Sequence, residues 1–184
     1  MKYPKLHSTE ISQLHKSRIS PLTKTKLMVC LHNIRSMHNV GSTFRSADAF
    51  GVHKVLLSGY TPSPPRIEIS KTALGADEWV PWEYERDGLA LISRYKKENW
   101  LIFGIEQTQS SKLISTDLHL SRPSIFVFGN EVLGLDDEIL ELCDDVFEIP
   151  QYGQKHSLNV SVSVGICIYA AHQSAFGTGF RSQK

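Results

Sequence analysis

Two short segments carry the residues best suited to chemistry. The first, Gly129-Asn130-Glu131-Val132-Leu133-Gly134-Leu135, follows the apolar run Ser124 to Phe128. The second, Pro150-Gln151-Tyr152-Gly153-Gln154-Lys155-His156-Ser157-Leu158-Asn159, follows Val146 to Ile149. Both runs have strand length and strand composition. A glycine just past a strand leaves bare backbone open to close approach by a ligand, and the amides, hydroxyl and carboxylate around it supply hydrogen bonds. In a parallel sheet, ligands bind in the loops beyond the strand C-termini. The two segments are separated only by a short helix that Asp136 caps and that runs through Leu142, so they are expected to form two walls of one pocket. Either loop taken alone reads equally well as a turn with a helix cap.

A third segment has the same form. Leu27 to Leu31 is a buried-type strand, His32 to His38 a polar loop, and Asn39 the expected N-cap of the helical stretch NVGSTFRSADAFG. Val40, Phe44 and Ala47 share one face of that helix and Gly51 stops it. Arg45 lies six residues beyond Asn39, close to two turns, and returns to the same helix end only by reaching back along the surface. Glu106-Gln107-Thr108, after the strand Trp100 to Ile105, is a further polar strand end. Several common chemistries are excluded. Gly129 to Gly134 has phosphate-loop glycine spacing, but Leu135 and Asp136 stand where lysine and a hydroxyl residue are needed. No G-x-G-x-x-G follows the first strand, no G-x-S-x-G elbow exists, and His156 beside Ser157 is adjacency rather than a triad.

The elements that must position these segments alternate in type. Thr9 is placed to cap a helix through about Ser17, and Pro21 closes that arm. Val55 to Ser58 reads as a strand, Gly59 to Pro65 as a Pro-rich loop, Trp79 to Trp82 as a short strand. Asp87 caps a helix with Leu89, Ile92 and Tyr95 on one face. From Val160 to Ile168, valine and isoleucine alternate with small residues, which by period is a strand, whereas length, Ala170-Ala171 and Gly177 tilt the balance slightly to a helix. Strands and helices in alternation give an α/β domain with a mainly parallel sheet flanked by helices.

At 184 residues this is one domain with an ordinary globular composition, 41% hydrophobic and 21% charged. No apolar run approaches the roughly 20 residues of a membrane helix and no signal-peptide core is present, so a cytoplasmic protein with no membrane partner is expected. Cys30, Cys143 and Cys167 lie far apart in apolar contexts and read as buried thiols. No histidine is spaced with cysteine or carboxylate as a metal ligand. The net charge of +1 conceals a basic arm, in which Lys2, Lys5, Lys16, Arg18, Lys24 and Lys26 face Glu10 alone, on a slightly acidic body. Such an arm suits nucleic acid phosphates, and solvated tails are often basic without that role.

Taken together, three segments resemble motifs one, two and three of the SpoU (TrmH-like) RNA ribose methyltransferases of the SPOUT class. They are Asn39-Val40-Gly41-Ser42-Thr43-Phe44-Arg45, then Phe128 to Leu135, then Ile149-Pro150 with Gly153 and Ser157-Leu158-Asn159-Val160-Ser161. The resemblance spans about Leu27 to Ala171. It implies an α/β fold with a C-terminal trefoil knot, a helix as the last element, a homodimer with active sites near the interface, and S-adenosylmethionine bound in the knot loops. Residue by residue it implies that Gly129, Ile149 and Leu158 meet the cofactor through backbone, with Glu106, Gln107 and Ser157 beside them. Asn39 and Arg45 match the residues held to activate a ribose 2′-hydroxyl.

A guanidinium is a poor base, with a pKa above about 12, so Arg45 is better suited to hold a phosphate and stabilise developing alkoxide. Glu131 orients the site, Ser157 bonds near cofactor or substrate, and Asn159 places the ribose. Taken singly, each of these is equally a cap or a surface ion-pair partner. The implied organisation is a basic arm at 1–26, a methyltransferase domain at 27–176 and a tail at 177–184. With no separate recognition domain, substrate choice falls to the arm, the dimer surface, Arg35, Arg66, Lys71 and Lys155. The implied substrate is RNA, with tRNA ahead of rRNA because small family members often act on it. The alternatives are an rRNA enzyme of the same chemistry and a non-catalytic RNA-binding module.

Overall fold

Residues 3–17 and 26–176 are described by the computed structural model. Along the chain run α1 (Ser8–Ser17), β1 (Leu27–His32), α2 (Met37–Phe50), β2 (Lys54–Ser58), α3 (Ile67–Ala73), α4 (Ala76–Trp79), β3 (Trp82–Glu85) and α5 (Gly88–Lys97). They are followed by β4 (Leu101–Ile105), β5 (Lys112–Leu113), α6 (Ile114–Asp117), β6 (Ser124–Phe128), α7 (Asp137–Leu142), β7 (Asp145–Glu148) and α8 (Val160–Phe176). The arm residues Lys2, Arg18, Pro21 and Lys24, and the tail from Gly177 to Lys184, lie outside the described residues.

The strands form one seven-stranded sheet in the order β3-β2-β1-β6-β4-β7-β5, and its paired strands are parallel. β1 and β6 are central and buried at every position, as expected of near-continuous apolar strands covered on both faces. Their alternation sorts the core. Leu27, Val29 and Leu31 pack on one side with Val40, Phe44 and Ala47 of α2 and Val164, Cys167 and Ile168 of α8. Met28 and Cys30 pack on the other with Leu91, Ile92 and Tyr95 of α5 and Ile139 of α7. β6 is inserted between β1 and β4, so the loops after β1, β4, β6 and β7 converge at the C-terminal end of the sheet, where α/β folds bind ligands. No helix among the described residues is long and apolar enough to cross a membrane.

Most expected strands stand within a residue of their places, and the differences have local causes. The helix expected to start at Asn39 starts at Met37. Ser36 is its N-cap, with extended φ −85° and ψ 112°, and its hydroxyl accepts from the Asn39 N–H. Gly51 closes α2 in the left-handed region at φ 64°, as expected. α1 begins at Ser8 rather than after a Thr9 cap: the His7 N–H donates to Glu10 Oε2 at 2.6 Å and its carbonyl accepts from Ile11 N–H at 3.0 Å. The strand expected at Trp79 to Trp82 is displaced, because Ala76–Trp79 is a helical turn and the edge strand β3 begins at Trp82. The last element is a helix. Val160, Val164, Cys167, Ile168 and Ala171 are buried at helical spacing, whereas Val162 and Ile166, which a strand would place on the same face, are exposed.

Candidate active site at the strand C-terminal ends

The loop after β6 is built around one glycine and one amide. A Cβ on Gly129 would lie 2.3 Å from the Gly134 carbonyl group and 2.4 Å from the Leu135 nitrogen, so the chain can double back here only over bare backbone. Asn130 and Gly134 exchange two backbone hydrogen bonds of 2.9 Å. The Asn130 side chain accepts from the Val132 and Leu133 N–H groups at 2.9 Å each, and donates to the Asn33 carbonyl at 2.9 Å and to the Tyr60 hydroxyl at 2.8 Å. Glu106 fixes the far end, accepting from the Leu135 N–H at 3.1 Å and from the Gln107 N–H at 2.8 Å.

So held, the loop directs Glu131 at the turn between β1 and α2. Its carboxylate accepts from the Arg35 N–H at 3.2 Å, the Ser36 N–H at 3.4 Å and the Asn39 amide at 3.3 Å. Burial alone would raise this carboxyl, but backbone N–H groups of Glu131 and Arg35, the Asn39 amide and the Ser36 N–H together hold it below its ordinary value. Asn39 in turn accepts, through Oδ1, from the Asn159 amide at 3.1 Å. Asn159 Oδ1 accepts from the Ser161 N–H at 2.9 Å and the Ser161 hydroxyl at 2.6 Å, at the start of α8. One continuous chain, Glu131 to Asn39 to Asn159, thus joins the loops after β6, β1 and β7.

Beside it lies a cleft of about 480 Å³, lined by Glu106, Gln107, Gly129, Ile149, Ser157 and Leu158, the six residues expected around a cofactor. That volume is within the usual span of small-molecule sites, about 300–1,000 Å³. Its outer wall is tied down by Gln107 and Gln151, whose amides donate to the His156 carbonyl at 2.8 and 3.4 Å. Among the described residues, three carboxylates, Glu106, Glu131 and Glu148, line the cleft and no lysine or arginine does. Such a lining disfavours phosphates and favours a cation among neutral hydrogen-bonding groups. The donor set therefore fits S-adenosylmethionine, whose sulfonium is positive and whose base and ribose are neutral.

Arg45 lies on the exposed face of α2, outside the cleft, and its side chain makes no hydrogen bond or ion pair to another described residue. Arg35, Arg66, Lys71 and Lys155 are exposed as well, and α3 is docked to the N-terminal end of α2 by Thr72, whose hydroxyl donates to the His38 carbonyl at 3.0 Å. Asn130 lies in the second motif with no task evident from the sequence, and neither Ser36 as the cap nor Tyr60 as a loop tie is visible there. Asp136 occupies the expected cap position of α7 but makes no cap bond. Its carboxylate lies instead 2.9 Å from His32 Nε2, while His32 Nδ1 lies 2.8 Å from the Ser58 hydroxyl. Ser58 is fully buried, so this serine, histidine and aspartate brace strand ends rather than attack a substrate.

The parallel α/β fold is shared with solved RNA-modifying enzymes. The A. aeolicus TrmH/SpoU tRNA modifying enzyme superposes with a TM-score of 0.74 at 28% identity, over 82% of this chain and 75% of that one. An AdoMet-bound rRNA methyltransferase from Sinorhizobium meliloti has the same fold, with a TM-score of 0.75 at 24% identity over 91% of this chain and 70% of that one. The chain belongs to the SpoU rRNA Methylase family, whose model matches residues 26–169. Among curated relatives, the 23S rRNA (guanosine-2′-O-)-methyltransferase RlmB of Nitrosomonas europaea is 36% identical over 162 residues, covering 86% of this chain and 61% of that protein. The chain thus spans about three fifths of that relative's length.

Proposed function

We propose that this protein is an S-adenosylmethionine-dependent RNA methyltransferase acting on a ribose 2′-hydroxyl, with tRNA as the first substrate to test. The observation that carries the proposal is the Glu131–Asn39–Asn159 chain at the rim of a carboxylate-lined cleft. The cofactor, held by Gly129, Ile149, Leu158, Ser157, Gln107 and Glu106, supplies the transferable methyl and its own neutral leaving group. The protein's task is then to place and deprotonate the hydroxyl. Glu131 fixes the Asn39 amide plane, and Asn39 with Asn159 positions the ribose. Arg45, free to extend, holds the adjoining phosphate and stabilises the developing alkoxide, because a guanidinium is a stronger clamp than base. A non-catalytic RNA-binding role would not require this array beside a small-molecule cleft.

The same reading includes a trefoil knot in the C-terminal third, supported by β6 lying between β1 and β4, and a cytoplasmic location. It also includes the division into a basic arm at 1–26, a catalytic domain at 27–176 and a tail at 177–184. A homodimer is part of it too: Val162, Ile166 and Tyr169 are exposed along one stripe of α8, and such a stripe suits a second copy. An rRNA substrate is the second reading, favoured by the match to the 23S rRNA enzyme.

The test is transfer of labelled methyl from S-adenosylmethionine to unmodified total tRNA and, separately, rRNA, followed by alkaline hydrolysis. A 2′-O-methyl blocks cleavage at its own 3′ phosphate, so label in alkali-resistant dinucleotides is expected. Label only in mononucleotides would mean base methylation and refute the chemistry. Arg45→Ala is expected to lower kcat by about 100-fold, the loss typical of one transition-state donor, with cofactor affinity intact. Unchanged turnover would remove Arg45 from the mechanism.

A further inference from the structure

Tyr60 stands out among the exposed aromatics because of what holds it. Its neighbours are pinned on both sides. The Gly59 carbonyl accepts from the Tyr84 hydroxyl at 2.7 Å. Thr61 is buried, donating to the Leu31 carbonyl and accepting from the Ile34 N–H at 3.0 Å each. The Tyr60 N–H donates to Asn33 Oδ1 at 3.3 Å, and its hydroxyl accepts from the Asn130 amide at 2.8 Å. Backbone and ring tip are both fixed, yet the residue is 56% exposed. Packing therefore does not account for the ring, and little rotamer freedom remains to be lost when something lies on it.

The tether also locates it. Asn130, which holds the ring tip, immediately precedes Glu131, whose carboxylate contacts the Asn39 amide. The exposed arginine Arg35 lies on the turn that Glu131 grips. A rigid aromatic surface tied through Asn130 to the loop that carries Glu131, with the exposed Arg35 on the turn that Glu131 contacts, has the chemistry of a nucleobase platform, since unpaired bases stack on aromatic rings while cations hold the backbone. We infer that Tyr60 is a positioning residue on whose ring an unpaired base of the RNA stacks, next to the ribose presented to Asn39 and Asn159. The inference rests on the proposed RNA 2′-O-methylation and adds to it how the substrate strand is held.

Stacking on an aromatic contributes about 1–3 kcal/mol per base, and each 1.4 kcal/mol is tenfold. Tyr60→Leu is therefore expected to raise KM for unmodified total tRNA, with rRNA as a parallel arm, by about tenfold. Its kcat and its cofactor affinity by titration should stay near wild type, and Tyr60→Phe should recover most of the KM. An unchanged KM in Tyr60→Leu overturns the inference. So does a Tyr60→Phe as impaired as Tyr60→Leu, which would make the hydroxyl tie rather than the ring the important feature, or a parallel fall in cofactor affinity, which would mean a collapsed site. If the wild-type protein methylates neither RNA, the proposed function fails by itself. Fluorescence anisotropy with labelled tRNA then decides the platform: weaker binding by Tyr60→Leu than by wild type and Tyr60→Phe upholds it, and equal binding refutes it.

Discussion

Gly41→Ala sets two opposing effects against each other within one helix. Gly41 is buried in α2, and an alanine there would gain about 0.8–1 kcal/mol of intrinsic helix propensity. Against this, its Cβ would lie 2.1 Å from Thr72 Oγ1 and 2.2 Å from the Ile69 carbonyl oxygen, with the Ile69 carbonyl carbon at 3.0 Å. The oxygen belongs to the α3 backbone and cannot rotate away. Ile69 is itself fully buried, so relief requires α3 to withdraw by more than about an ångström. Overpacking of this kind costs about 1–3 kcal/mol, and withdrawal also strains the Thr72 to His38 hydrogen bond, worth about 1 kcal/mol. The net expectation is a loss of about 2 kcal/mol, and therefore a Tm lower by about 4–8 °C for a chain of this size. Urea unfolding and calorimetry measure it, with Gly153→Ala as control. A Cβ on Gly153 has nothing within 4 Å, and the change should be neutral or stabilising by under about 1 kcal/mol. A Gly41→Ala protein as stable as wild type would refute the close α2–α3 packing from which the loss is worked out.

Asn39→Ala should lower methyl transfer by about 100-fold, comparable to loss of one oriented catalytic amide. Because Asn39 is outside the cleft lining, cofactor affinity should hold, and a parallel loss of both would make Asn39 part of the cofactor site rather than of ribose positioning. The Glu131 carboxyl is held below its ordinary value of 4.5, so its stabilisation is fully present above that pH and disappears as pH falls through the depressed value. Urea midpoints of wild type and Glu131→Gln should therefore differ at neutral pH and converge in acid, whereas a constant difference would mean that ionisation is irrelevant. Burial pushes the Cys30 thiol up to about 12, the Cys143 thiol up to about 11 and the Cys167 thiol higher still. Cys30 and Cys167 are buried as expected but Cys143 is half-buried, so iodoacetamide at pH 8 should leave Cys30 and Cys167 of the folded protein unmodified and label three thiols after denaturation; rapid labelling of Cys30 or Cys167 in the native protein would contradict the burial. Ile166→Glu with Tyr169→Glu should convert the proposed dimer to monomer in sedimentation, and a persisting dimer would place the interface elsewhere.

The parts of the fold that could be read from the sequence are those where local pattern and burial agree. β1 and β6 are apolar throughout because both faces are covered, and Asp87 caps α5 through Ala90 N–H as its position suggests. β3 is harder to see. Its Trp82-Glu83-Tyr84-Glu85 sequence lies at a sheet edge where alternation carries no burial signal. In α8, residues at every second position satisfy a strand and, taken every fourth, a helix as well. Only the burial of Val160 and Val164 with the exposure of Val162 separates the two.

The site itself depends on contacts that no local pattern contains. Ser36 and Asn39 are both good N-cap types, three residues apart, and either could start α2. The choice of Ser36 turns Asn39 from a cap into a side chain free to bridge Glu131, 92 residues on, and Asn159, 120 residues on. Asp136 follows the same logic in reverse: it has the cap position of α7, but the ring of His32 takes its carboxylate. In both cases a residue type suited to a local task is held by a partner distant in sequence, and that exchange of local for long-range bonds joins separate strand ends into one site. Family motif order made this grouping legible in advance; the identity of the cap, the tie through Asn130 and the fixing of Tyr60 required the fold.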